Sequence, residues 1–288
     1  MLRLYLVAAL VLLFPLTLRA ESYPVGVVSG ISGSAQSVRI LREQESLSPE
    51  VGMLIFQGDR ITVTAPETTV TVDLSGRTEQ LSINKASAPQ HGLISVKAEQ
   101  PTIISNIMHW LASMGTRKQS QQVMLVTRGQ TPALVVPVFR PHEQAVTIGH
   151  QDWHVIWHGG AAPYNLRLIH SLDAAVLIQK NNLAQPSAVL EEANPTPGSY
   201  VLEVQGGGHK ATQSLVVVAQ SALPDMPKEI QDLKATDKLK TLLYITWLSR
   251  QDNGKWVFEA MLQAWQLSQV YPPAGSLLSS LQERADSE

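Results

Sequence analysis

The sequence predicts a mostly β protein that closes with a few helices. Three observations predict it. Over residues 21–90 apolar residues alternate with period two: Val70, Val72 and Leu74 share one face, and Thr69, Thr71 and Asp73 the other. Over residues 123–219 short apolar runs recur at roughly 8–12-residue spacing, separated by turn residues such as Gly159-Gly160, Asn181-Asn182 and Pro197-Gly198. Spacing of three and four takes over behind Pro227, where Leu239, Leu242, Leu243 and Trp247 fall along one helical face.

Residues 1–20 read as a secretory signal. Arg3 supplies the positive start, residues 4–18 are an almost wholly apolar run of 15, and Ala20-Glu21 is the cleavage point. A spanning helix needs about 20 apolar residues, so cleavage is favoured over retention as an anchor. The expected location is the periplasm, the cell surface or the medium, with no integral membrane span after cleavage. The 288 residues include no Cys. Lipid attachment at a cysteine and disulfide stapling are thereby excluded, and each module must be held by its own core. A net charge of −2, with no basic run longer than Arg117-Lys118, excludes a nucleic-acid coat.

Residues 21–92 make the first β module. Ile61 and Val63 point opposite to Thr62 and Thr64, and Gly30, Gly33, Gly52, Gly58 and Gly76 fall at the breaks. Short strands at this spacing suggest a small β-sandwich or β-roll. Asp73, among threonines, is expected on an exposed face. Gly58-Asp59 reads as a turn whose carboxylate accepts backbone N–H groups.

Four pieces of this segment form a pattern: Gly26-Val-Val, Ile31-Ser-Gly-Ser-Ala35, Arg39 at a strand end, and Val51-Gly-Met-Leu-Ile-Phe-Gln-Gly58-Asp59-Arg-Ile61. On them the segment resembles the FecR domain, with Ser75-Gly76 where that family has an Asp-Gly turn. The resemblance implies a periplasmic β module of the iron-citrate regulator family, which also occurs as a stand-alone secreted unit. Regulators of that kind carry a cytoplasmic segment ahead of a membrane span. Only Met1 to Arg3 precede the apolar run here, so direct contact with a sigma factor is not expected.

Residues 93–122 read as a short amphipathic helix and a linker. Ile104, Ile107, Met108 and Leu111 follow helical spacing, with Trp110 beside them and Pro101 and Thr102 at the start. This helix is expected to pack on its own β domain. The alternative, a helix lying on a membrane surface, would use Arg117 and Lys118.

Residues 123–220 offer strands at 123–127, 134–138, 145–148, 153–158, 164–170, 175–180, 199–204 and 213–218. The stretch is similar to the immunoglobulin and fibronectin sandwiches at two places. One is Val155-Ile-Trp157-His-Gly-Gly160 ahead of Tyr164-Asn-Leu-Arg-Leu168; the other is Pro197-Gly-Ser-Tyr200-Val-Leu-Glu-Val204. The antibody Cys pair is missing, so the resemblance implies only the architecture, with Trp157 and Tyr200 in the core.

Residues 227–288 make the helical tail. Behind the first helix, Asp252-Asn-Gly254 breaks the pattern; Trp256, Ala260, Ala264, Leu267 and Tyr271 mark a second helix, with Phe258, Leu262 and Trp265 on its other flank. Residues 275–281 suit a third. The pair resembles one tetratricopeptide-type hairpin, which cannot bury its faces alone. It must dock on the sandwich, on another copy or on a partner. Trp247, Trp256 and Trp265 are the interaction candidates, unless they pack the hairpin against the sandwich.

Little chemistry is visible. His150, His154 and His158 would share one face of a helix, as zinc ligands do, but the segment reads as a strand, where residues four apart lie about 13 Å from each other. No nucleophile motif, phosphate-binding glycine loop or cofactor signature is present. The expected function is a non-enzymatic interaction or scaffold protein of the cell envelope, its partner an envelope or periplasmic protein. A sensory component of a signalling system and a polysaccharide-binding protein are the alternatives.

Overall fold

In a computed structural model, residues 23–95, 102–115, 133–136, 142–150, 152–191 and 193–283 are described. The signal expected at 1–20, the polar linker expected at 116–122 and the strand expected at 123–127 lie outside them. Among the described residues strands outweigh helices, so the protein is mostly β, with several sheets and C-terminal helices.

Period-two alternation produces seven strands at the start: β1 (Pro24–Ser32), β2 (Val38–Arg42), β3 (Glu45–Leu47), β4 (Leu54–Phe56), β5 (Arg60–Val63), β6 (Thr69–Leu74) and β7 (Leu81–Asn84). They form two antiparallel sheets, ordered β4-β1-β6-β7 and β3-β2-β5. Val28, Val70, Val72 and Ile83 of the first meet Val38, Ile40 and Ile61 of the second in one core. Val27, paired across the ladder with Asp73, turns the other way and joins a second core. The short α1 (Ala88–His91) and the longer α2 (Thr102–Gly115) follow. Ile104, Ile107 and Met108 of α2 are buried in that second core, so this helix packs on its own protein.

The middle of the chain holds β8 (Gln144–Thr147), β9 (Trp153–Ile156), β10 (Tyr164–His170), β11 (Val176–Leu183), β12 (Ser187–Leu190), β13 (Gly198–Gly206) and β14 (His209–Val218). Five of them make a sheet ordered β11-β10-β13-β14-β8, antiparallel except where β8 runs parallel to β14. β12 and β9 pair separately, and Val135 bridges His158 just beyond β9. Trp153, Trp157, Leu168, Leu202 and Leu215 lie buried in the core of this part. β12 is an addition to the expected strands. Ser187-Ala-Val-Leu190 is short and shows no clean alternation, so its sequence carries no period-two signal.

Four helices finish the chain: α3 (Lys228–Gln231), α4 (Asp237–Leu248), α5 (Val257–Ser268) and α6 (Pro273–Glu283). Thr236 caps α4 by accepting the Leu239 N–H at 3.2 Å. Between α4 and α5, Asp252 (φ 50°) and Asn253 (φ 56°) take the left-handed conformation that short polar side chains tolerate. α5 then lies along β8: the Ala145 N–H donates to the Lys255 carbonyl at 2.8 Å, and Phe258 meets Trp153 edge-on at 5.4 Å. Phe258, Leu262, Leu242 and Leu243 are buried, each contributing about 1.5–3 kcal/mol of apolar transfer. Their core is shared with the second β part, with Val27 and with α2. Among the described residues no helix is long and apolar enough to cross a membrane.

Candidate functional site: the seam beneath the C-terminal helices

The alternation in β6 places Asp73 opposite the first core, and solvent was its expected surroundings. Instead Asp73 is fully buried, because the helical tail covers that face. Its carboxylate accepts from Tyr271 Oη at 2.7 Å, from Thr236 Oγ1 at 3.1 Å and from Gln80 Nε2 at 3.1 Å. Gln80 belongs to the first module; Thr236 and Tyr271 belong to the tail. Burial, and next the Asp73 charge, push the Tyr271 phenol far above its ordinary range, so it is a firm donor. The contact continues along the same seam. Gly76 N–H donates to the Lys234 carbonyl at 2.5 Å, and Gly52 lies so close to α6 that a Cβ would sit 2.3 Å from Ser276 Oγ.

A second buried carboxylate ties the tail to the second β part. Glu259 of α5 is fully buried. It accepts the Thr147 N–H at 2.8 Å, Thr147 Oγ1 at 3.1 Å and Gln263 Nε2 at 2.7 Å, and lies 2.8 Å from His150 Nε2. Burial by itself raises a carboxyl. Here the hydrogen bond and charge of His150, with the Thr147 and Gln263 donors, outweigh it and hold Glu259 below its usual value. On the other side of the ring, His150 Nδ1 lies 3.2 Å from Gln266 Nε2. Nearby, burial and then the charges of Glu259 and Asp225 push the Tyr244 phenol up to about 12. A cleft of about 450 Å³ opens beside this cluster, with Gln220, Thr241, Gln263 and Gln266 on its walls.

The residues singled out from sequence fall as follows. Gly58 has φ 87°, and Asp59 is almost fully buried in the turn after it. Its carboxylate accepts the Phe56 N–H at 2.8 Å and a two-pronged pair from Arg42, Nε at 2.9 Å and Nη2 at 2.8 Å. The Arg42 guanidinium also lies 4.0 Å from the centre of the Phe56 ring. Arg39, singled out from sequence, bonds instead to the Gln36 and Val38 carbonyls. The three histidines go separate ways. His150 joins Glu259; His154 stacks on Trp265 at 5.3 Å, where burial lowers its pKa; exposed His158 pairs by its backbone with Val135. Among the described residues no three His, Cys, Asp or Glu side chains converge to hold a metal ion. Trp256 is buried and donates Nε1 to Asp252 at 3.0 Å; Trp247 stacks on Tyr244 at 5.9 Å and, like Trp265, is half-buried.

The seam can do one thing well chemically: hold carboxylates fully satisfied by donors from different parts of the chain. The far nitrogen of His150 meets an amide rather than a hydroxyl or thiol, so the pair activates no nucleophile in this arrangement. No family model matches the chain, and no curated protein matches it.

Proposed function

We propose that this protein is a non-enzymatic scaffold of the cell envelope, exported by its N-terminal signal. Its helical tail clamps two β modules at a fixed angle for an envelope or periplasmic partner. The observation that carries this reading is Asp73: one buried carboxylate accepts from the first module and from two points of the tail. Rigid presentation of two surfaces is what such a clamp supplies. In this reading the first module is FecR-like and the second immunoglobulin-like. The second is supported by two features. Val135 bridges His158 just beyond the β9–β12 pair, and β8 runs parallel to β14 at the edge of the five-stranded sheet. Tyr200 Oη donates to the Thr196 carbonyl at 2.9 Å, the corner contact that such sandwiches use.

Export and photo-crosslinking together test the proposal. The mature chain is expected in the periplasmic or surface fraction, starting near Glu21, and crosslinkers at exposed positions should give one discrete protein adduct. A cytoplasmic chain with Met1 intact would contradict the location. Turnover of an envelope glycan or peptide by the purified chain, lost in His150→Ala, would contradict the non-enzymatic reading.

A further inference from the structure

At the other end of the seam, a cleft of about 460 Å³ opens between the β6–β7 turn, α1 and the loop before α4. Its polar wall carries Arg77, Lys234 and His91, all exposed, and among the described residues no carboxylate lines it. Among the described residues neither Arg77 nor Lys234 forms an ion pair. Asp232, two residues from Lys234, is already engaged by Lys228 Nζ at 2.6 Å. The facing wall is apolar: Leu81 and Ile94 line it, and Leu93 is 54% exposed there. In a chain of net negative charge, two unneutralised cations converging beside an exposed leucine form a surface with one complementary chemistry.

We propose that this cleft binds an amphipathic anion, a phosphate or carboxylate carrying an alkyl body. The headgroup lies between Arg77 and Lys234, with His91 as a further donor, and the alkyl part covers Leu81 and Leu93. Lys234 lies in the tail, between α3 and α4, and Arg77 in the first module, next to the Gly76–Lys234 backbone bond. The ligand therefore bridges the two and stabilises the docked tail by binding only the assembled state. The inference is independent of the scaffold reading.

The test is a titration of the full mature chain with dodecyl phosphate below its micelle concentration, read by calorimetry and by the amide signals of Gly76 and Leu93. Saturable binding is expected, at least about tenfold tighter than for inorganic phosphate, because the alkyl part adds buried apolar area. The double variant Arg77→Gln, Lys234→Gln should bind about tenfold more weakly with an unchanged Tm, since both side chains are exposed. Leu93→Ser should weaken dodecyl phosphate and leave inorganic phosphate unaffected. Co-sedimentation with phosphatidylcholine vesicles containing phosphatidic acid separates the sources: retention identifies a lipid headgroup, and binding of the monomer alone a free amphiphile. Equal affinity in the double variant, equally tight binding of dodecyl maltoside, or no saturable binding of dodecyl phosphate would overturn the proposal.

Discussion

At the scale of residues, a buried carboxylate tolerates no missing donor, because the unpaired charge keeps its full desolvation cost. Tyr271→Phe removes the shortest bond to Asp73 and should lower stability by about 1.5–3 kcal/mol in urea unfolding. Thr236→Val loses both the Asp73 bond and the α4 cap, whereas Thr236→Ser keeps both and should be near neutral. Glu259 brings a pH dependence. Its folded pKa is lowered, so its contribution is fully present above the ordinary carboxylate value of 4.5 and is lost as pH falls through the folded value. Wild-type Tm should therefore drop more steeply below about pH 4.5 than the Tm of Glu259→Gln; parallel curves would contradict this. Sequence made Asp59 legible, because its turn partner Phe56 is three residues away. Asp73 and Glu259 were hidden because their partners lie 163, 198 and 112 residues distant. A strand's outer face reads as exposed until something is known to cover it.

At the scale of elements, the tail helices are legible individually, and their docking is not. Asp252-Asn-Gly254 announces its break through local backbone chemistry, and the spacing of Leu239, Leu242 and Leu243 sets the buried face of α4. What that face meets depends on β1, α2 and the second β part, and no periodicity reports it. α5 is the element on which docking turns. Phe258→Ala should cost about 3–5 kcal/mol, read by urea unfolding, because it empties the space against Trp153. Trp265→Ala should cost less than Phe258→Ala, because Trp265 is half-buried and only stacks on His154. The reverse order would place the main contact of α5 elsewhere.

At the scale of the whole molecule, two β parts of separate sheets become one body through a tail that enters both. The first part keeps a core of its own, yet Val27 and Asp73 on its outer face belong to the seam. The separate alternation and breaks of the two β stretches followed from the sequence. Their union did not, since it rests on three hydrogen bonds to one aspartate and on a shared core. All 6 Trp residues lie outside the first β part, so their fluorescence reports the second β part and the helices alone. The decisive measurement is urea unfolding of the chain followed by Trp fluorescence and, in parallel, by hydrogen exchange of the β6 amides. A clamped body predicts one midpoint for both probes, splitting in two when Asp73→Ala releases the first module. Two separated midpoints in the wild-type chain would contradict the clamp.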